Sequence, residues 1–322
     1  MRNFSLSAAA RLPPTLQNTL ICYRWPGLIF GFAALALFVM SWRWGGTVED
    51  SLAYFNTARY LRGEAAASEL RAPFPYRVLV PAVASILPGD LRNAFAGFNW
   101  LAITAAACMI AMTIARLGLG RQRSVLGGLL LIISVPTFWY APYLLVDPGS
   151  ICARAAFVLA VVTGQPWLAA AVGILATATR EENILLLVWL VAARQIAIPA
   201  GVAALAVAGS WLLLVRWWLI PGLPSYIWQP SLATVLAALA DVRSLASIVT
   251  GAGVVLPLAL PGLRRPLPPL RPLVSLLLLM ALPPLYAALC VRVDGRAIWD
   301  LYPMLIPFAA SAGIGRADSR LP

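Results

Sequence analysis

Two carboxylates in succession, Glu49 and Asp50, stand just beyond the first long apolar run of the chain. Carboxylates so placed serve as a general base toward a hydroxyl or as ligands of a divalent cation. The alternative is a solvated first helical turn, where acids are welcome beside the positive end of the helix dipole. On a helix starting there, Asp50, Tyr54, Thr57 and Ala58 share one face. Three arginines suit an anion. Arg77 precedes Pro81 at a helix start, Arg180 opens a charged knot with Glu181 and Glu182 between two short apolar runs, and Arg296 follows Asp294 in a short loop. A guanidinium holds a phosphate through two parallel N–H donors. Against this, Arg77 reads equally as a snorkelling interfacial side chain and Arg296 as part of a solvated loop. Arg154 lies inside an apolar run, where an ionisable group is costly and is a functional candidate by default; an ion pair with a nearby carboxylate explains it as well. Asp147 before Pro148 reads as a helix N-cap with proline at the first position, a cap that still lines any site at its end; Asp90 reads as a cap too.

What is missing narrows the chemistry further. The 322 residues hold 24 cationic and 12 acidic side chains, every cation is Arg, and there is no His. Triads and dyads built on His, His-ligated zinc or haem, Lys Schiff bases and Walker-A phosphate loops are excluded. The chain is 61% hydrophobic and 11% charged, with a mean hydropathy of +0.84. Soluble domains run at about 45–50% apolar and about 25% charged. The composition is that of a polytopic integral membrane protein, a single transmembrane domain over 1–322. The net charge of +12 then signals orientation in a membrane, not a nucleic-acid partner. Cys22, Cys108, Cys152 and Cys290 read as small buried hydrophobes.

Those candidate residues need helices to position them. Apolar runs at 26–42, 91–115, 125–145, 150–163, 167–179, 183–193, 197–215, 244–262, 273–291 and 298–314 predict an all-α bundle of about ten spans, several of them short or broken. Arg2, Arg11 and Arg24 keep residues 1–25 cytoplasmic, and 43–90 become an outer loop with interfacial helices. Segment 78–87 is too short to span. Residues 91–315 hold the remaining spans. In this topology eleven of the twelve acids fall on or near the outer side, leaving Asp318 alone inside. Trp217, Trp218, Tyr226 and Trp228 form either an interfacial aromatic belt or a stacking surface.

An outer carboxylate pair after the first span, followed by the Asp50-Tyr54-Ala58-Leu61-Gly63 spacing, resembles the GT-C superfamily of integral-membrane glycosyltransferases. The Tyr-Arg-x-Leu-x-Pro element at 76–81, the Thr-Arg-Glu helix start at 179–181 and DGRAIWDLYPMLIPF at 294–308 are similar to its mannosyltransferase-like bacterial members. The likeness touches scattered segments in the expected order. Gly63 falls one residue early, and no large outer domain follows the last span.

The resemblance implies transfer of a sugar from a polyprenyl-phosphate donor to a lipid or glycan acceptor, at the outer face of a bacterial cytoplasmic membrane. Asp50 would be the base, and Glu49 with Asp50 the ligands of any divalent cation. Arg77, Arg180 and Arg296 would hold the donor phosphate, while Tyr54, Asp147, Arg154 and Glu181 orient substrate, with Glu181 beside Arg180. Expected partners are membrane lipid, lipid-linked sugar and the acceptor. The rival reading is a transporter or flippase of anionic or lipid-linked solutes, which the interrupted helices also fit; a catalytically inert scaffold is a third.

Overall fold

The computed structural model of the protein describes residues 25–48, 50–224 and 229–312. Glu49, Tyr226 and Trp228 lie outside them, as do Arg2, Arg11, Arg24, Arg316 and Arg320. Among the described residues all regular structure is helical. In chain order the helices are α1 (Trp25–Ser41), α2 (Ser51–Arg62), α3 (Leu79–Ile86), α4 (Leu91–Arg116), α5 (Arg121–Ile132), α6 (Val135–Tyr140), α7 (Asp147–Val162), α8 (Pro166–Thr179) and α9 (Ile184–Ala192). They continue as α10 (Ile198–Leu214), α11 (Leu232–Ala240), α12 (Val242–Ala252), α13 (Val255–Arg264), α14 (Arg271–Met280), α15 (Leu282–Cys290), α16 (Arg296–Trp299) and α17 (Tyr302–Ser311). Short 3₁₀ turns at Phe74–Tyr76 and Glu181–Asn183 and a π turn at Val215–Leu219 join some of them.

Helix α4 is the axis. Its 26 residues start at Asp90, whose carboxylate accepts the Asn93 N–H at 2.9 Å, the cap its sequence predicts. Buried Ala102, Ala106, Ala107 and Ala111 keep its surface low, so α1, α5 and α7 approach closely. Helix α5 answers with glycine. A Cβ on Gly127 would sit 2.1 Å from the Ile114 side chain, and one on Gly128 2.3 Å from the Phe32 ring. A second, smaller apolar cluster joins Tyr54 of α2, Val80 of α3, Phe95 of α4 and Leu144–Val146.

The expected ten spans are not supported. Among the described residues, three helices are long and apolar enough to cross a membrane: Leu91–Arg116, Ile198–Leu219 and Pro268–Cys290. A fourth is reached if α11 and α12, bent by 92° at Asp241, count as one. The apolar runs are there, but the backbone breaks inside them. Ser134 caps α6 two residues after α5 ends, with Pro136 in the new first turn. Gly253, at a φ of 50°, separates α12 from α13, and Pro303 opens α17 after Asp300. Helices α7, α8 and α9 have 16, 14 and 9 residues, against the roughly 20 a span needs. The three long helices differ in burial. The apolar window is 61% buried in α4 but 22% and 17% in the other two, whose apolar sides face outward as lipid-facing helices do.

Candidate functional site

Five of the places where helices start or break meet. The residue before α2, the segment before α3, the start of α7, the link between α8 and α9 and the loop into α16 come together over the smaller apolar cluster. A helix interior satisfies its own backbone and offers only side chains of one stripe, whereas interrupted ends turn charged side chains toward each other.

Asp50 occupies the N-cap position of α2, yet its carboxylate makes no capping bond. It accepts instead from Arg296 Nη2 at 2.9 Å, so it is not the solvated first turn that is the alternative reading of its sequence. One turn on, Tyr54 is buried with its ring edge-on to Phe74, and its hydroxyl accepts from Arg77 Nη1 at 2.7 Å. Burial pushes the Tyr54 phenol up from its ordinary value, against the opposing charge of Arg77. The remaining donors of Arg77 clasp Glu181 in a bidentate pair, Nε to Oε2 at 3.0 Å and Nη2 to Oε1 at 3.3 Å. With 11% of its side chain exposed, Arg77 does not snorkel. Burial alone raises the Glu181 carboxyl, but the Arg77 charge and hydrogen bonds outweigh it and hold it below the ordinary range.

Arg180 follows α8 in extended conformation, which aims its side chain back across the site. Nη1 reaches Asp147 at 2.9 Å and also Asp300, and Nη2 reaches Glu182 at 3.1 Å. The sequence reading paired Arg180 with Glu181; the structure gives Glu181 to Arg77 and Glu182 to Arg180, because the 3₁₀ turn sends successive side chains to different sides. Asp147 is likewise not the cap of α7. That position falls on Val146, and the Asp147 carboxylate lies between Arg180 and Arg296 Nε, the latter at 3.6 Å. Arg154, two turns down α7 and 1% exposed, donates to Asn183 Oδ1 at 2.8 Å, to the Asp300 carbonyl at 3.0 Å and to Glu182 Oε1 at 2.9 Å. Each of its three nitrogens has a fixed partner, so Arg154 braces the floor of the site.

Eight of the nine candidate site residues therefore meet in one cluster; the ninth, Glu49, lies outside the described residues. The sequence reading missed Glu182, Asn183 and Asp300 as members. Asn183 anchors the floor by donating to Ser150 Oγ and the Ala176 carbonyl, both at 3.0 Å. Its neighbourhood to Glu181 and Glu182 was the available signal; for Asp300 it was a spacing of one helical turn from Arg296.

Four arginines (77, 154, 180, 296) face five carboxylates (50, 147, 181, 182, 300), which leaves the cluster one charge short of neutral. Hydrogen bonding is incomplete. Arg180 Nε, Arg296 Nη1 and Asp300 Oδ1 are buried without a partner among the described residues. Unpaired buried donors and acceptors are costly, so a ligand or water that satisfies them is stabilising. Asp50 and Glu181, at 26% and 35% side-chain exposure, mark the accessible rim, while Asp147 and Asp300 at 3% mark the floor.

No three Asp, Glu or Cys side chains among the described residues converge as a cation site requires. Of the pair expected to hold one, Asp50 is committed to Arg296. Beside the cluster an apolar groove of about 320 Å³ runs between α8 and α10, lined by Leu79, Ile174, Ala178, Val207, Trp211 and Leu214. Leu79 lies two residues from Arg77 and Ala178 two from Arg180. Beyond Leu214 the guanidinium of Arg216 stacks over the Tyr76 ring at 4.5 Å. Compared with known proteins, the chain matches no family model, no curated protein and no solved structure.

Proposed function

We propose that the cluster is the active site of a GT-C-like glycosyltransferase that takes its sugar from a polyprenyl-phosphate donor, working at the outer face of a bacterial cytoplasmic membrane. The observation that carries this reading is the pair of guanidinium donors without a partner among the described residues, Arg180 Nε and Arg296 Nη1, in a cluster that also holds the partly exposed carboxylate of Asp50. Two arginine N–H groups suit a phosphate. Because the local charge is nearly balanced, the phosphate is held by those open donors and not by excess positive charge. The apolar groove beside Arg77 and Arg180 suits the donor's isoprenoid chain.

In this reading the acceptor hydroxyl approaches the rim and Asp50 takes its proton. The oxygen attacks the anomeric carbon, and the bond from that carbon to the phosphate oxygen breaks with its electron pair going to the phosphate. Arg180 and Arg296 donate to the charge that builds there, with Arg77 at the edge; preorganised donors of this kind commonly supply the largest catalytic term. A phosphate leaving group needs no general acid, which fits a chain without His. Arg296 exchanges its Asp50 contact for the phosphate as the donor enters, and that exchange frees the base.

Sugar release from a polyprenyl-phosphate donor by the purified protein in proteoliposomes tests the reading. Asp50→Asn is expected to lower transfer by about 10²–10⁴-fold, the usual contribution of a general base, with folding unchanged. Flux of donor lipid without transfer, lost in Arg180→Gln but kept in Asp50→Asn, would instead make the protein a flippase.

A further inference from the structure

The loop that carries Arg296 is fastened from a helix that contributes nothing to the charged cluster. Asp294 collects four donors there. Its Oδ1 accepts from the Arg296 backbone N–H at 2.9 Å, from Ser247 Oγ at 3.2 Å and from the Tyr140 hydroxyl at 3.4 Å, and its Oδ2 from Arg292 at 2.6 Å. Ser247 belongs to α12. Besides donating to Asp294, its hydroxyl accepts from the Gly295 N–H at 2.9 Å, so one side chain secures both the carboxylate and the backbone of the turn.

The two backbones are in direct contact. A Cβ on Gly295 would lie 1.7 Å from the Ser247 carbonyl oxygen, and one on Gly251 2.3 Å from the Gly295 carbonyl oxygen. No larger residue fits at either position, and neither backbone has room to shift toward the other. Tyr302 clamps the same turn of α12 by donating to the Gly251 carbonyl at 2.9 Å. The other side of the bent pair α11–α12 is apolar and exposed at Leu236, Leu239 and Val249. Among the described residues no hydrogen bond or ion pair joins Ser247 directly to the charged side chains around Asp50, so its link to the site runs through Asp294 and Gly295 to Arg296.

We propose that Ser247 is a positioning residue for Arg296. Its hydroxyl fixes Asp294 and the Gly295 N–H, these fix the first turn of α16, and that turn sets where the Arg296 guanidinium reaches. The assignment rests on the reading of Arg296 as a phosphate-holding residue. The bent pair α11–α12 thereby acquires a role in the site although it supplies no group to it.

A double-mutant cycle separates positioning from general stability. Binding of a short-chain isoprenyl monophosphate to the full-length protein in nanodiscs is measured for Ser247→Ala, Arg296→Gln and the double variant. Ser247→Ala is expected to weaken binding about tenfold. Arg296→Gln should weaken it at least as much, and the double variant no further than Arg296→Gln alone. Ser247→Thr, which keeps the hydroxyl, should retain most of the affinity. Additive losses, or a Ser247→Ala variant that binds like the parent, would overturn the proposal. Hydrogen exchange of the amides at 294–299 gives a reading that needs no ligand. Ser247→Ala should accelerate it, and unchanged exchange overturns the positioning role. Accelerated exchange in a protein that binds no isoprenyl monophosphate overturns the assignment to phosphate, while the mechanical link stands.

Discussion

Arg154 and Glu181 show the two opposite uses of charge in this site. Arg154 is fully enclosed and spends every guanidinium nitrogen on a fixed partner. Removing one member of a buried pair leaves the other unsolvated, at about 3–5 kcal/mol. Arg154→Met is therefore expected to lower the thermal unfolding midpoint sharply, and adding Glu182→Gln should recover part of the loss; equal midpoints for Arg154→Met and the parent would remove it from the frame of the site. Glu181 is on the rim, and its effect is visible in pH. Its folded carboxyl titrates below the unfolded one, so the Arg77 pair is fully stabilising above the unfolded pKa of about 4.3 and is lost as pH falls through the lower folded value. The midpoint should fall as pH drops from about 5 to about 3, less steeply in Glu181→Gln; parallel slopes would place the acid sensitivity elsewhere. Residue types told much of this in advance. Arg in an apolar run and Glu beside a helix break are expensive, and both turned up in the cluster. Partner choice was not legible: whether Arg180 meets Glu181 or Glu182 depends on a 3₁₀ turn that no spacing rule specifies.

At the scale of elements, the site is made where helices stop. Short α3, broken α8–α9 and the four-residue α16 leave extended or turning backbone at Arg77 and Arg180 and just before Arg296. The groove between α8 and α10 adds a wall that faces outward beside them. Filling it with Val207→Trp should raise KM about tenfold for a long-chain donor, the worth of roughly one side chain of apolar contact, while leaving kcat and the KM of a chain-truncated donor unchanged. Equal effects on both donors would place the chain elsewhere. The short helix at 79–86 and the break at 180–183 were readable from apolar run length and charge. The groove was not, since it depends on how α8 and α10 cross. The turn of α12 that holds Asp294 was equally hidden, because Gly251 and Gly295 touch across 44 residues of sequence.

For the molecule as a whole, composition and hydropathy lead to an all-helical membrane protein, and the helices agree. They do not lead to its span count. Hydropathy sums apolar side chains, while Ser134-Val135-Pro136, Gly253 and Pro303 decide where the backbone stays helical. Three long apolar helices, joined by shorter ones that meet at charged ends, give a bundle whose outward sides are apolar and whose buried charged side chains, Asp147, Arg154 and Asp300 among the described residues, are gathered in one place. That gathering is the basis of the central claim, that the cluster receives the phosphate of a lipid-linked sugar. Cryo-electron microscopy of the protein in nanodiscs with a polyprenyl-phosphate sugar tests it most directly. The account predicts phosphate density within hydrogen-bonding distance of Arg180 Nε and Arg296 Nη1, with the isoprenoid chain along Val207 and Trp211. Phosphate density elsewhere, with Arg296 still paired to Asp50, would contradict it.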